Sequence, residues 1–337
     1  MEKENSLPEY DAFQNLFPNI PKPVAKNLNL MILGILKSQS AHLDDIAQAI
    51  SSINNKSLNT NLVRMSRFIK YTKFEVEDKV WRDNIKNILS RLEDYGYIEK
   101  DLLIPINVDF TSIKNKFLIL SASIPFKGRG IPIFFTLRKY PKTKGQFDQI
   151  RMETSFIQQL EHLLPKRYKY VIVADRGFGN SRFLQTCISN GFHYVLRISC
   201  SNMAIIKEGE ETRIKNLEKY NTATEIELQH SKVKTRILMS FKEGFTDGWY
   251  IITELKEIKF TEIISFYGNR FKIEKMFQDE KGSGFEIEES RITQCIRMKR
   301  LLFCIYTAQS WMMLLGDYIN ENLEEVKKNY TLLIEEP

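Results

Sequence analysis

The sequence predicts an α/β protein, with a mixed-sheet core, a β-rich insertion and an N-terminal helical region. Three observations lead there. Residues 1–100 show helical periodicity without strand-like alternation. Short alternating or wholly apolar runs bounded by turn residues begin at Leu102. A helical pattern returns at Phe260, after a second stretch rich in Thr, Val and Ile. The boundaries that follow are 1–100 for the helical region, 101–200 for the first part of the core and 201–258 for the insertion. Residues 259–319 form the helical second part of the core, and 320–337 a charged tail.

In the first region, Pro21 and Pro23 precede an apolar helix over 24–36. Ser40 or His42 opens a second over 43–53, and the polar run 54–57 leads into a third over 59–71. There Arg64, Arg67 and Lys70 recur every three residues, beside an apolar face of Leu62, Met65 and Phe68. A short helix followed by a basic one suits a helix-turn-helix-like unit; an ordinary bundle with a solvated basic face would read the same.

From Leu102 three strands are expected, over 102–109, 117–124 and 131–137, with a hairpin turn at 127–130. A helix over about 145–164 is stopped by Pro165. A short apolar run, 170–174, ends on Asp175 and suits a buried strand. Asn180 or Ser181 caps a helix ending at Gly191, and 192–198 is another strand. Three antiparallel strands, a helix, a strand, a helix and a strand is the order of the ribonuclease H fold. Strands over 222–229, 232–241 and 249–253 make up the insertion. Two helices follow, one around 267–281 and one over about 289–315.

Charge points to a polyanionic partner. The 337 residues carry a formal net charge of +7, and the surplus is concentrated. Between Phe110 and Met152 nine Lys or Arg face one acid, Asp148. Between Lys56 and Lys73 there are five cations and no acid. Four scattered cysteines, with no closely spaced pair, suggest neither a zinc site nor a disulfide framework, and a reducing cytoplasm fits. The opening residues are charged and polar, so no secretory leader is expected. The most apolar helical stretch, 301–315, falls short of the ~20 residues a bilayer needs, so no membrane partner is expected.

The most informative spacing is Tyr267, Arg270, Glu274 and Lys281, at relative positions 0, 3, 7 and 14. On one continuous helix these fall within roughly one sixth of the circumference, along a stripe about 20 Å long. One carboxylate flanked by two cations and a phenol suits a metal ion beside a phosphodiester backbone. Two further carboxylates, Asp109 and Asp175, end strands that the fold makes neighbours. Three carboxylates so close would repel one another, and a divalent cation removes that conflict. Oxygen ligands without thiol or imidazole favour Mg²⁺, with Mn²⁺ able to substitute.

These residues resemble the DDE transposases of the insertion-sequence IS-four family. The helix matches the family's Y-x2-R-x3-E-x6-K signature at all four positions. Asp109-x-Thr111 is similar to its first catalytic motif, and Ala174-Asp175-Arg176-Gly177-Phe178 to its second. Phe271 stands where relatives commonly carry Trp. The resemblance implies Asp109, Asp175 and Glu274 as catalytic metal ligands. Tyr267, Arg270 and Lys281 would clamp phosphates, and Arg64, Arg67 and Lys70 would contact the terminal repeat. Trp249 lies in a segment similar to the strand where relatives stack a flipped base, although a core Trp on a strand is the competing reading. It also implies two-metal cleavage and joining of double-stranded DNA, at transposon ends and target. A homodimer would hold the synaptic complex, in a bacterial cytoplasm at the nucleoid. Two rivals stand beside it: a structure-specific nuclease on the same fold, which would need neither the signature helix nor basic N-terminal helices, and a non-catalytic DNA-binding repressor of transposition, which loss of an acid would have favoured.

Overall fold

The computed structural model describes residues 16–322, apart from 72–73, 100–101, 142, 144–147, 207–208, 218–221, 242–247 and 283. The expected tail lies outside the described residues from 323 onward, as do Lys73, Lys142 and Lys144. The chain divides into two compact units, one running to Ile98 and again from Asp279, the other Glu99–Gln278.

In the first unit, Pro23 sits in the opening turn of α1 (Lys22–Ser38), where its missing N–H costs no hydrogen bond. Helix α2 (Leu43–Asn54) ends on Asn55 in the left-handed region. The Ser57 hydroxyl then caps α3 (Leu58–Lys70) by accepting from the Thr60 amide. Helix α4 (Asp78–Asp94) buries Trp81, Ile85 and Ile88 on one face. The last helix, whose label α9 (Cys295–Glu321) counts the helices of the second unit before it, is buried almost continuously from Met298 to Trp311. A helix buried on every side must be enclosed, and α9 packs with α1, α3 and α4. Its Arg300, buried, donates to the carbonyls of Ile69, in the last turn of α3, and of Phe74, just beyond it, at 2.7 Å each. Residues 259–319, grouped by sequence with the core, are therefore divided near Gln278, because α9 finds its apolar partners among the N-terminal helices.

The second unit is one ten-stranded sheet. Its strands are β1 (Leu103–Ile113), β2 (Phe117–Phe126), β3 (Arg129–Lys139), β4 (Lys169–Ala174), β5 (His193–Arg197), β6 (Met203–Ile205), β7 (Glu211–Arg213), β8 (Thr222–Leu228), β9 (Lys234–Ser240) and β10 (Trp249–Thr253). Their order is β3-β2-β1-β4-β5-β10-β9-β8-β6-β7. Among the described residues only β1–β4 and β4–β5 pair in parallel. Helices α5 (Gln149–Leu163) and α6 (Ser181–Ser189) make the crossovers, capped by the side chains of Asp148 and Asn180. This is the ribonuclease H-like arrangement that the sequence predicts. The insertion is continuous with it: β10 pairs antiparallel with β5 and carries β9, β8, β6 and β7 outward. Two of these strands, β6 and β7, are only three residues each and gave no alternation to read.

The tight β2–β3 hairpin turns on Lys127 and Gly128, both at positive φ (33° and 87°), as a two-residue turn of this hand requires. Farther along, the register slips between Ala122 and Ser123, which admits Pro132 into β3 at the sheet edge.

Candidate active site

Strands β1 and β4 run in register up to Val108 opposite Ala174, so the next residues, Asp109 and Asp175, stand side by side on one face. That face is covered by α7 (Phe260–Gly268), whose Ile263 and Tyr267 pack on Val171, Val173 and Val195. Two residues before Asp109 on the same face, Asn107 is fully buried and donates to the backbone carbonyl of Asn269 at 2.9 Å.

That bond marks a correction. The signature residues do not lie on one continuous helix. Helix α7 ends at Gly268, Asn269 and Arg270 form a turn, and α8 (Phe271–Lys281) begins anew. Gly268 and Asn269 are poor helix formers, and the buried Asn107 takes the Asn269 carbonyl as an acceptor. The amides of Arg270, Lys272 and Ile273 each reach back only three residues, which tightens the joint. Tyr267 thus closes one helix, Arg270 occupies the corner, Glu274 lies in the first turn of the next, and Lys281 ends it.

The corner lets Arg270 reach two acids at once. Its Nη1 donates to Asp109 Oδ2 at 3.1 Å and its Nη2 to Glu274 Oε1 at 2.8 Å. The guanidinium lies over the Phe271 ring, 4.5 Å from its centroid. Asp109 is raised to a pKa of about 6, first by burial and second by the charge of Asp175, against the opposing pull of Arg270. The other oxygen of Asp109 accepts from the Phe110 amide at 2.8 Å. Asp175 accepts from the Gly177 amide at 2.7 Å, which folds the following turn beneath it.

The donor set fits a hard divalent cation, because every available ligand is a carboxylate oxygen and Asp109 lacks sufficient positive charge around it. Among the described residues no three acid, histidine or cysteine side chains stand close enough to share one ion. The expected tight triple cluster is thus replaced by a pair bridged through Arg270, with Asp175 acting on Asp109 electrostatically. The reason is the guanidinium itself, which occupies the space between Asp109 and Glu274.

The other sequence-derived candidates are spread over both units. Tyr267 is buried, and its phenol interacts with Arg197. Trp249, half-buried on β10, meets the Tyr267 ring edge-on at 4.7 Å and the Phe271 ring at 6.2 Å. Lys281 adjoins Glu280, a fully buried carboxyl held well above the usual range by desolvation, with Lys281 pulling it the other way. In the helical unit Arg67 and Lys70 are exposed, while Arg64 donates to Asn27 of α1 at 2.6 Å. With Arg67, Val63 and Val24 it lines a groove of about 730 Å³ between α1 and α3.

Sequence reasoning missed three supports. Phe110 and Phe178 stack at 5.4 Å with their planes 9° apart, bracing the segments that carry the two aspartates. Glu153, fully buried on α5, accepts from Gln149 at 2.6 Å and from Asn180 at 3.1 Å, and its own pKa is raised by burial. Asn107 is the third. Each lies within three residues of a site aspartate or faces inward from a helix, but only contacts between elements reveal the role.

Residues 151–310 match the family model for the transposase DDE domain. No curated protein matches the chain. The matched stretch includes Asp175 and Glu274 and begins after Asp109. Together with the ribonuclease H-like sheet it supports a DDE transposase: the matched domain is that of an enzyme of metal-dependent DNA cleavage and strand transfer. Its substrates are DNA, and its class works with divalent metal ions. No helix among the described residues is long and apolar enough to cross a membrane.

Proposed function

We propose that this transposase recognises the terminal inverted repeats of an insertion sequence of the IS-four type, cuts at their ends and joins them to target DNA. The observation that carries the reading is the Arg270 guanidinium joining Asp109 to Glu274, with Asp175 beside Asp109 where the parallel β1–β4 pairing ends. Asp109 and Asp175 offer oxygens from adjacent strands and Glu274 one from the helix, a set suited to Mg²⁺, with Mn²⁺ as substitute. Two such ions, when bound, supply an activated nucleophile and stabilisation of the departing oxygen. Arg270 holds Asp109 and Glu274 in a common orientation and offsets their repulsion. With Lys281 it is the natural contact for phosphates of the transposon end. Tyr267, too buried for a simple surface contact, supports Trp249 edge-on as a platform for an extruded base. Arg64, Arg67 and Lys70 on α3 form the basic face offered to the terminal repeat, in a protein acting as a homodimer at a bacterial nucleoid.

A supercoiled donor plasmid carrying the element's own ends tests this. The expected products are excised element and, with a target plasmid, joined DNA, both dependent on divalent metal. Cutting without joining would favour the structure-specific nuclease. Binding without cutting would favour the repressor.

A further inference from the structure

Between Lys56 and Lys73 the chain carries five cations and no acid, a surface complementary to a polyanion. Cations of that kind hold phosphates, however, and phosphates carry no sequence. The groups that tell a terminal repeat from other DNA must be found beside them. Helices α2 and α3 are joined through residues 55–57, and a buried amide pair holds the angle between them. Asn61, fully buried on α3, exchanges hydrogen bonds with Asn54 at the end of α2, at 3.0 and 3.1 Å. It also donates to Ser51 Oγ at 3.0 Å. At about 100° per residue, Asn61 lies with Met65, Phe68 and Ile69 on one side of α3. Asn59, Val63, Arg67 and Lys70 fall within about 80° on the other, and all four are exposed.

These four divide by their place along the helix. Asn59 and Val63 are in its first two turns, Arg67 and Lys70 in its last. The Asn59 amide makes no hydrogen bond to another described residue, so its donor and its acceptor are both open. Val63 is an apolar side chain left 39% exposed on a basic face. Lys70 lies about 16 Å beyond Asn59 along the axis, at ~1.5 Å per residue. The major groove is only ~12 Å wide. A helix entering it by the N-terminal end therefore brings Asn59 and Val63 to base edges and leaves the later cations at the backbone. The groove of about 730 Å³ between α1 and α3 suits the adjoining phosphates. Among the described residues its walls carry Lys26, Arg64 and Arg67 and no acid. Arg64 is tied to that groove, since its Nε donates to Asn27 Oδ1 of α1.

Building on the end-recognition reading above, we propose that Asn59 and Val63 are the residues with which α3 reads the terminal repeat. Asn59 accepts from N6 and donates to N7 of an adenine, and Val63 packs on a thymine methyl. Arg64, Arg67 and Lys70 hold phosphates only.

The test measures binding of the full-length protein to its own terminal repeat and to random duplex of equal length, across a range of salt. For N59A/V63A, affinity for the repeat should fall on the order of ten- to a hundredfold, with random-duplex affinity and salt slope unchanged. R67A/K70A should weaken both duplexes alike and lower the slope by about two. Base analogues probe the same contacts in the wild-type protein, with no variant to fold. Substituting 7-deazaadenine for single adenines removes N7, and uracil for single thymines removes the methyl group. Each series should find a sensitive position in the repeat, insensitive in N59A and V63A respectively. Wild-type protein indifferent to every analogue would overturn the proposal. So would a preference for the repeat that survives in N59A/V63A, or one that is lost in R67A/K70A instead. Wild-type protein that binds repeat and random duplex equally would sink the end-recognition reading beneath it.

Discussion

Asp109 sits where burial and a neighbouring carboxylate both oppose its charge, and Arg270 is the counterweight. The displacement to about 6 amounts to roughly 3 kcal/mol of unfavourable ionisation, which a bound cation would relieve. Metal affinity should therefore be flat above about pH 7 and fall about tenfold per unit below 6, as a proton competes for Asp109. Calorimetric Mn²⁺ titration across pH checks this. Arg270→Ala should move the break to higher pH, because the guanidinium lowers the Asp109 pKa; a break that stays in place would detach Arg270 from that role. In cleavage assays Asp109→Ala, Asp175→Ala and Glu274→Ala should each abolish cutting while end binding stays within a few-fold of wild type. Residual cutting by any one of them would remove that residue from the site.

Among the elements, α8 is placed by a close backbone approach. A Cβ on Gly130 would lie 2.7 Å from Ser123 Oγ and 3.2 Å from the Lys272 carbonyl, in the turn that presents Glu274. Gly130→Ala should cost about 1–3 kcal/mol and lower cleavage, with Ser123→Ala in the same chain restoring part of both. Thermal melting and nicking rates read the two effects, and unchanged nicking would mean that α8 tolerates the shift. On β10, Trp249→Ala should spare the first nick and slow the later step that needs an unstacked base; 2-aminopurine fluorescence at that base reports the stacking. Equal rates at both steps would make Trp249 a packing residue. The broken signature helix shows why sequence reading stopped short here. Spacing identified Tyr267, Arg270 and Glu274 but implied a stripe along one helix. The interruption depends on Asn107, some 160 residues earlier, whose amide binds a carbonyl that a continuous helix would use itself.

For the whole molecule, the core strands, the crossover helices and Asp175 at the end of β4 were legible, because they follow from alternation, caps and chain order; the strand expected to end at Asp109 instead runs on to Ile113, held by its antiparallel pairing with β2. The grouping of α9 with the N-terminal helices was not, since a helix buried on every side does not announce its partners. Nor was the fusion of insertion and core into one sheet, which rests on the β5–β10 pairing. Stability against pH is a property at this scale. Asp109, Glu153 and Glu280 are all raised, each first by burial. The folded chain thus keeps protons that the unfolded chain has released. Their contribution is full below the ordinary carboxylate range and is lost as pH rises, for Asp109 through about 6. The melting temperature in chelator should fall from pH 5 to 7, and Mg²⁺ at pH 7 should recover part of it. A flat or rising profile would show that these acids do not govern stability. The shared sheet has one more consequence. Trp249 on β10 and Asp175 at the end of β4 are separated by a single strand, β5, so they are marks on one rule, about 10 Å apart across the strands and with no hinge between them. On the proposed reading, the interval from scissile phosphate to extruded base is then a length set by the protein, and the DNA would have to bend to meet it.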